Sequence, residues 1–289
     1  MAAHPKDEPG AAPMLRRFTD LRGYTIGATD GDIGAVDDLY FDDLTWTARY
    51  LVVNTGTWLS GRKVLLSPAV VRGLAPAGRR VETPLTRRQV QESPSIDTDK
   101  PVSRQHEIDL SSYYGYPSFW AGPLRWGPYA YPYPMPEAGA LSATADQPSA
   151  DRIAEEEVAA REEQSRDPHL RSARAVTGYG IRATDGDLGH VDDFLIGEDD
   201  WAIRYLVVDP RSWWPGAHVL VAADWIRRVS WTESVVEVDV TREAIRNAPR
   251  LDTSGTFGRD DEVRLYAHHR RPGYWERGSD VGTQYPPAA

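Results

Sequence analysis

The chain repeats itself. Placing Tyr24 on Tyr179 sets an offset of 155 residues that holds without a gap to the far end of the second copy. Trp46 then meets Trp201, RYLVV at 49–53 meets the same five residues at 204–208, and Thr86-Arg87 meets Thr241-Arg242. Glu107 meets Glu262 and Trp120 meets Trp275. About a third of the aligned positions are identical, far above chance for a gapless match, so the fold of one copy is the fold of the other.

Within a copy the local signals are those of strands. YTIGA is a short strand, and TDGD after it is a turn whose Asp and Gly tolerate positive φ. IGAVDDLYF is a second strand. WTARYLVV is apolar on nearly both faces apart from Arg49, as a central strand requires. GRKVLLSPAVVRGL and RRVETPL add three short strands broken by Pro68 and the APAG turn. Half a dozen strands in under ~80 residues predict a small barrel or a strongly curled sheet. LTRRQVQESP and VTREAIRNAP close the series as short helical turns capped by Thr86 and Thr241, with Val90 and Ile245 facing inward. The tails at 94–120 and 249–275 have weak periodicity and are expected to be irregular, docked by their aromatics.

The predicted fold class is therefore mainly β: two tandem small barrels with short helical turns and a linker helix. Residues 1–14 and 277–289 read as disordered, 15–122 and 170–276 as the two domains. The stretch 123–169 reads as a Pro/Tyr-rich linker followed by an acidic helix at DRIAEEEVAAREEQSRD.

Composition excludes several function classes. A net charge of −10 with interleaved arginines argues against nucleic acid, and for the same reason against an anionic membrane surface. No run approaches the roughly 18–20 apolar residues of a membrane span, and the start shows no apolar core behind a basic leader. Cysteine is absent, which removes disulfides, thiolate metal sites and a cysteine nucleophile. The expectation is a cytoplasmic protein.

The repeated run ATDGD(I/L)G-x-VDD concentrates acids. As a calcium loop it would use Asp30 and Asp32, and Asp185 and Asp187 in the second copy. The twelfth position counted from Asp30 is Phe41 rather than the bidentate Glu of an EF-hand. Asp37 and Asp38 point to opposite faces of a regular strand and cannot share an ion. A tight turn built on Gly31, Gly34, Gly186 and Gly189 explains both copies, with one acid of each V-D-D facing the barrel and pairing with Arg49 or Arg204. No histidine recurs in both copies, no serine stands in a nucleophile elbow, and no phosphate loop is present, so no catalytic residue and no cofactor is expected. The aromatic excess points elsewhere. Tyr114, Tyr116, Trp126, Tyr131 and Tyr133 run through the end of copy one into prolines, and Trp58, Trp213 and Trp214 sit in a hairpin loop; these are the candidate partner-contact residues.

The ordered set of a DG-x-x-G turn (30–34 and 185–189), a V-D-D strand (36–38 and 191–193) and YLVV (50–53 and 205–208) resembles the PRC-barrel family, in both copies. That family is a small β-barrel known in the cytoplasmic part of the H subunit of purple-bacterial photosynthetic reaction centres and in the C-terminal domain of the ribosome-maturation factor RimM. The resemblance implies a bacterial, non-enzymatic adaptor with an unidentified protein partner, and allows pairing of the two barrels within the chain or in a homodimer. The alternatives are a small-ligand or metal sensor using the acidic turn, and an H-subunit-like role in photosynthetic electron transfer. The H subunit's membrane helix is not found ahead of either copy.

Overall fold

A computed structural model describes residues 14–94, 102, 104–120, 124–127, 129–132, 169–210, 218–249 and 257–276. The predicted linker helix, residues 1–13 and residues 277–289 lie outside them. The chain is mainly β and divides into two compact units, each built on a mixed sheet of seven strands. The strands are β1 (Leu15–Arg17), β2 (Thr25–Ala28), β3 (Gly31–Asp42), β4 (Thr47–Asn54), β5 (Lys63–Leu66), β6 (Gly73–Ala75) and β7 (Arg80–Glu82). They continue as β8 (Leu170–Ser172), β9 (Gly180–Ala183), β10 (Gly186–Gly197), β11 (Ile203–Asp209), β12 (Val219–Ala222), β13 (Ile226–Ser230) and β14 (Val235–Val238).

In the first unit the sheet order is β5-β4-β3-β2-β7-β6, and in the second it is β12-β11-β10-β9-β14-β13. The β2–β7 and β14–β9 pairs are parallel and the other pairs antiparallel. β4 is buried along seven of its eight residues, which is why its sequence shows no alternation. The long strands β3 and β10 are bulged against β4 and β11 at the same places, Val36/Asp38 and Tyr40/Phe41 in one and Val191/Asp193 and Leu195/Ile196 in the other. Each bulge adds bend and twist, so a twelve-residue strand wraps around the core.

The seventh strand of each sheet comes from the other copy. β1 pairs with β10 (Leu15↔Gly197, Arg17↔Leu195), and β8 pairs with β3 (Tyr40↔Ser172, Asp42↔Leu170). Accordingly one unit runs over Asp20–Ala175, while the other joins Met1–Thr19 to Val176–Val281. The compact units thus differ from the sequence domains 15–122 and 170–276 by these leading segments. Both segments begin Leu-Arg and both long strands offer the same edge, so local sequence leaves the partner open.

Thr86 and Thr241 cap short helices α2 (Arg87–Gln91) and α5 (Arg242–Arg246), each hydroxyl accepting from the backbone N–H three residues on, and Val90 and Ile245 are buried as predicted. The tails depart from expectation: they contain α3 (Arg104–Tyr114) and α6 (Arg259–His268). Their inward positions include Glu107 with Leu110, Ser111 and Tyr114, and Glu262 with Leu265 and Tyr266. A buried carboxylate on the apolar stripe hides the helical period from a hydropathy reading.

Candidate functional site

The acidic run is fully employed by the fold. Asp30 Oδ1 accepts from the Arg87 N–H at 2.8 Å and Asp185 Oδ1 from the Arg242 N–H at 2.6 Å, so each turn is tied to the start of the short helix that follows β7 or β14. Asp32 pairs with Arg80 at 2.6 Å, and Asp187 faces Arg182 at 3.7 Å. Gly31 and Gly186 hold φ of 139° and 133°. At Gly34 and Gly189 the need is space, because a Cβ would lie 2.1 Å from the Asn54 carbonyl oxygen and 2.2 Å from that of Asp209. Among the described residues no three His, Asp or Glu side chains gather as metal ligands.

The V-D-D acids part company at the bulge. Asp37, half-buried, pairs with Lys63 at 2.9 Å, and that bond holds its carboxyl below the usual range. Asp38 and Asp193 turn inward and are 3% and 0% exposed. The predicted partners, Arg49 and Arg204, are not theirs. Asp38 accepts from Ser172 Oγ at 2.5 Å and from the Arg174 N–H at 3.1 Å. Asp193 accepts from Arg17 Nε at 2.8 Å, Thr19 Oγ1 at 2.5 Å and the Thr19 N–H at 3.2 Å. The inward aspartates therefore receive the exchanged segments. The correction follows from the bulge, which re-aims the side chain relative to a regular strand.

Arg49 and Arg204 instead lie under the aromatic tails. Arg49 donates to the Arg125 carbonyl at 2.6 Å and to Thr45 Oγ1 at 3.0 Å, with its guanidinium 3.9 Å from the Phe119 ring centre and 4.9 Å from that of Trp126. Burial pulls its pKa down to about 10. Arg204 donates to Asp200 Oδ2 at 2.5 Å and lies 4.0 Å from the Tyr274 ring. Beside them Tyr50 reaches Glu107 at 3.4 Å, and Tyr205 and Tyr274 both donate to Glu262 at 2.9 Å. Burial raises the Glu262 carboxyl above its usual range, against the pull of Tyr274, Arg259 and Tyr205. Such a group resembles acid–base machinery in composition, yet Glu262 is 1% exposed and its hydrogen bonds run to packed neighbours. Beside Arg49 a cavity of about 10 Å³, lined also by Tyr116, Phe119 and Trp120, has room for one water molecule. Trp120 and Trp275 fold back on their own units, Trp275 meeting Tyr266 edge-to-face at 5.1 Å.

The aromatics chosen for partner contact separate into interior and surface. Tyr114 and Trp126 are 3% and 6% exposed, and burial raises the Tyr114 phenol to about 12. Tyr116 is half-buried, and Trp58, also half-buried, donates its indole N–H to the Ile33 carbonyl at 2.5 Å under the Arg87 guanidinium. These four serve packing. Tyr131 is 59% exposed, and the structure adds Tyr113 and Tyr129, each 39% exposed. Tyr133, Trp213 and Trp214 lie outside the described residues.

The ordered motifs, the bulged long strand and the β5-β4-β3-β2-β7-β6 sheet have a counterpart among known domain families. Residues 14–89 match the PRC-barrel domain. The match starts at Met14, so the family pattern counts β1 as part of copy one, although that strand completes the other unit's sheet. No curated protein matches the chain. None of the described helices is long and apolar enough to cross a membrane.

Proposed function

We propose that the chain is a non-enzymatic adaptor made of two PRC barrels, the second being the 155-residue repeat of the first, and that it docks a protein partner in the cytoplasm. One observation carries this reading: three of the six large apolar side chains that stand exposed among the described residues, Tyr113, Tyr129 and Tyr131, lie in the stretch from the end of α3 into the Pro/Tyr-rich linker. A tyrosine near prolines loses little entropy on contact and buries much area. Among the described residues Glu107, Glu262, Asp38 and Asp193 are engaged in internal hydrogen bonds, which supports the non-enzymatic half of the reading.

The test is site-specific photo-crosslinking in cells from position 131, compared with position 44, where exposed Leu44 lies on the same unit. A discrete adduct from 131 and none from 44 is expected. Equal, diffuse labelling from both positions sinks the proposal.

A further inference from the structure

We infer that the β3 and β10 edges are docking sites for the leading segment of another copy of this fold, and that a second molecule of this chain is a partner that supplies it. The inference stands apart from the tyrosine surface, since it concerns other residues and another partner.

Each slot has the same three parts. An antiparallel edge takes three residues of strand: Leu15–Arg17 on β10, and Leu170–Ser172 on β3. An acid at the strand end takes the basic residue of that segment: Glu198 binds Arg16 Nε at 2.6 Å, and Asp43 binds Arg171 at 3.0 Å and His169 at 3.0 Å. The buried aspartate takes the third strand residue and the helical turn behind it, α1 (Phe18–Leu21) or α4 (Ala173–Val176). Phe18 and Ala173 are driven into the core at 2% and 0% exposure, Phe18 edge-on to Phe194 at 6.5 Å.

A slot of this kind does not stay empty at low cost. Without the segment, Asp38 and Asp193 each keep a single hydrogen bond, from the Leu39 or Phe194 N–H at 2.8 Å, and lose the hydroxyl, backbone or guanidinium donors that satisfy an interior carboxylate. The occupant must carry a basic strand residue, a donor at the next position and an apolar side chain after it. Arg16-Arg17-Phe18 and Arg171-Ser172-Ala173 both do, and the slots are equivalent position for position under the 155-residue offset. The segment belongs to the domain sequence that starts at residue 14, and it reaches its slot through a single crossing of the chain between units, at Thr19–Asp20 or Ala175–Val176. Nothing in that recognition distinguishes the other copy in the same chain from the same copy in a second chain. The tether favours the internal partner only through effective concentration.

The experiment uses the whole chain. A protease site is placed between residues 140 and 150, the folded protein is cut, and the products are followed by size exclusion and native mass spectrometry. The two fragments are expected to stay together one to one, each carrying the leading strand of the other's sheet. Isotopically heavy and light full-length chains, unfolded and refolded together at high concentration, are expected to give mixed dimers, and cut heavy and light preparations to give mixed pairs. Arg17→Ala with Thr19→Ala in the cut protein removes both side-chain donors to Asp193, leaving the residue-19 backbone N–H, and is expected to speed fragment release by about tenfold or more. If that variant does not fold, Ser172→Ala provides a milder change in the same direction at Asp38. Fragments that part on cutting overturn the inference, as do preparations that refold without mixing, or variants whose release rate is unchanged.

Discussion

Arg49 and Arg204 occupy the same position in the two copies, Arg49 buried and Arg204 nearly so, yet their charges are met in different ways. Around Arg204 burial again pulls the pKa down, but Asp200, Tyr274, Asp224 and Glu262 together outweigh it, and the guanidinium ends above its ordinary value. Copy one has Thr45 where copy two has Asp200. There a hydroxyl, a backbone carbonyl and two aromatic faces take the place of the bonded carboxylate, Asp42 and Glu107 act only through space, Arg125 adds a second cation, and burial wins. The two copies therefore keep the place of the cation without keeping a carboxylate bonded directly to it. In copy one the cation relies on the tail, since the Arg125 carbonyl and the faces of Phe119 and Trp126 all come from beyond α3.

The largest effect should be one the copies share. Gly34→Ala and Gly189→Ala both thrust a methyl group into backbone, and Gly189 also holds φ of 144°. Each is expected to cost about 3 kcal/mol or more, Gly189→Ala the more of the two, read as denaturant midpoints. Tolerance of either would break the equivalence of the two bulged strands.

Next in size comes the arginine difference itself. Asp200→Ala strands a buried guanidinium, and about 3 kcal/mol of destabilisation is expected, whereas Thr45→Ala in copy one removes one neutral acceptor and should cost about 1 kcal/mol. Equal losses in chemical denaturation would show that the two cations are held alike after all.

The smallest effect concerns acid. Copy two has His269 where copy one has Tyr114, and burial, with His268 and Arg271 adding to it, lowers the His269 pKa to about 4. Its ring sits 4.4 Å from that of Trp225. The unfolded chain takes up this proton first, so the stability it contributes is intact above about pH 6.5 and is lost as pH falls toward 4. Solvent at the half-buried ring limits the loss to about 1–2 kcal/mol. Glu262 works the other way, because its raised pKa favours the folded state on protonation. His106, lowered by burial against the pull of Asp109, leaves the first unit some acid sensitivity of its own. In melts at pH 7 and pH 4.5 the second unit should lose more than the first, and His269→Tyr should narrow that gap. An unchanged gap would remove His269 as its source.

Much of this was legible in the residues. The TDGD turns, the caps at Thr86 and Thr241 and the fully apolar strand around Tyr50 are set by neighbours in the chain, where dihedral preference and side-chain period act directly. The candidate site was less so. Tyr114, Trp126 and Tyr131 look alike as aromatics near prolines, and only packing separates the two buried ones from the exposed one. α3 and α6 escaped notice because Glu107 and Glu262 interrupt the apolar stripe, and a buried acid becomes sensible only once Tyr50 and Tyr205 are placed beside it.

By itself the sequence determined that the same strand pattern occurs twice, 155 residues apart, and that its repeated acids stand in tight turns. Tertiary structure alone decided which copy completes which sheet and what answers each buried arginine. The reason lies in distance along the chain. Thr19 and Asp193 are 174 residues apart, and Ser172 and Asp38 are 134 apart. Two leading segments with the same pattern face two edges with the same acids, so local chemistry admits either pairing and only the folded path of the chain selects one.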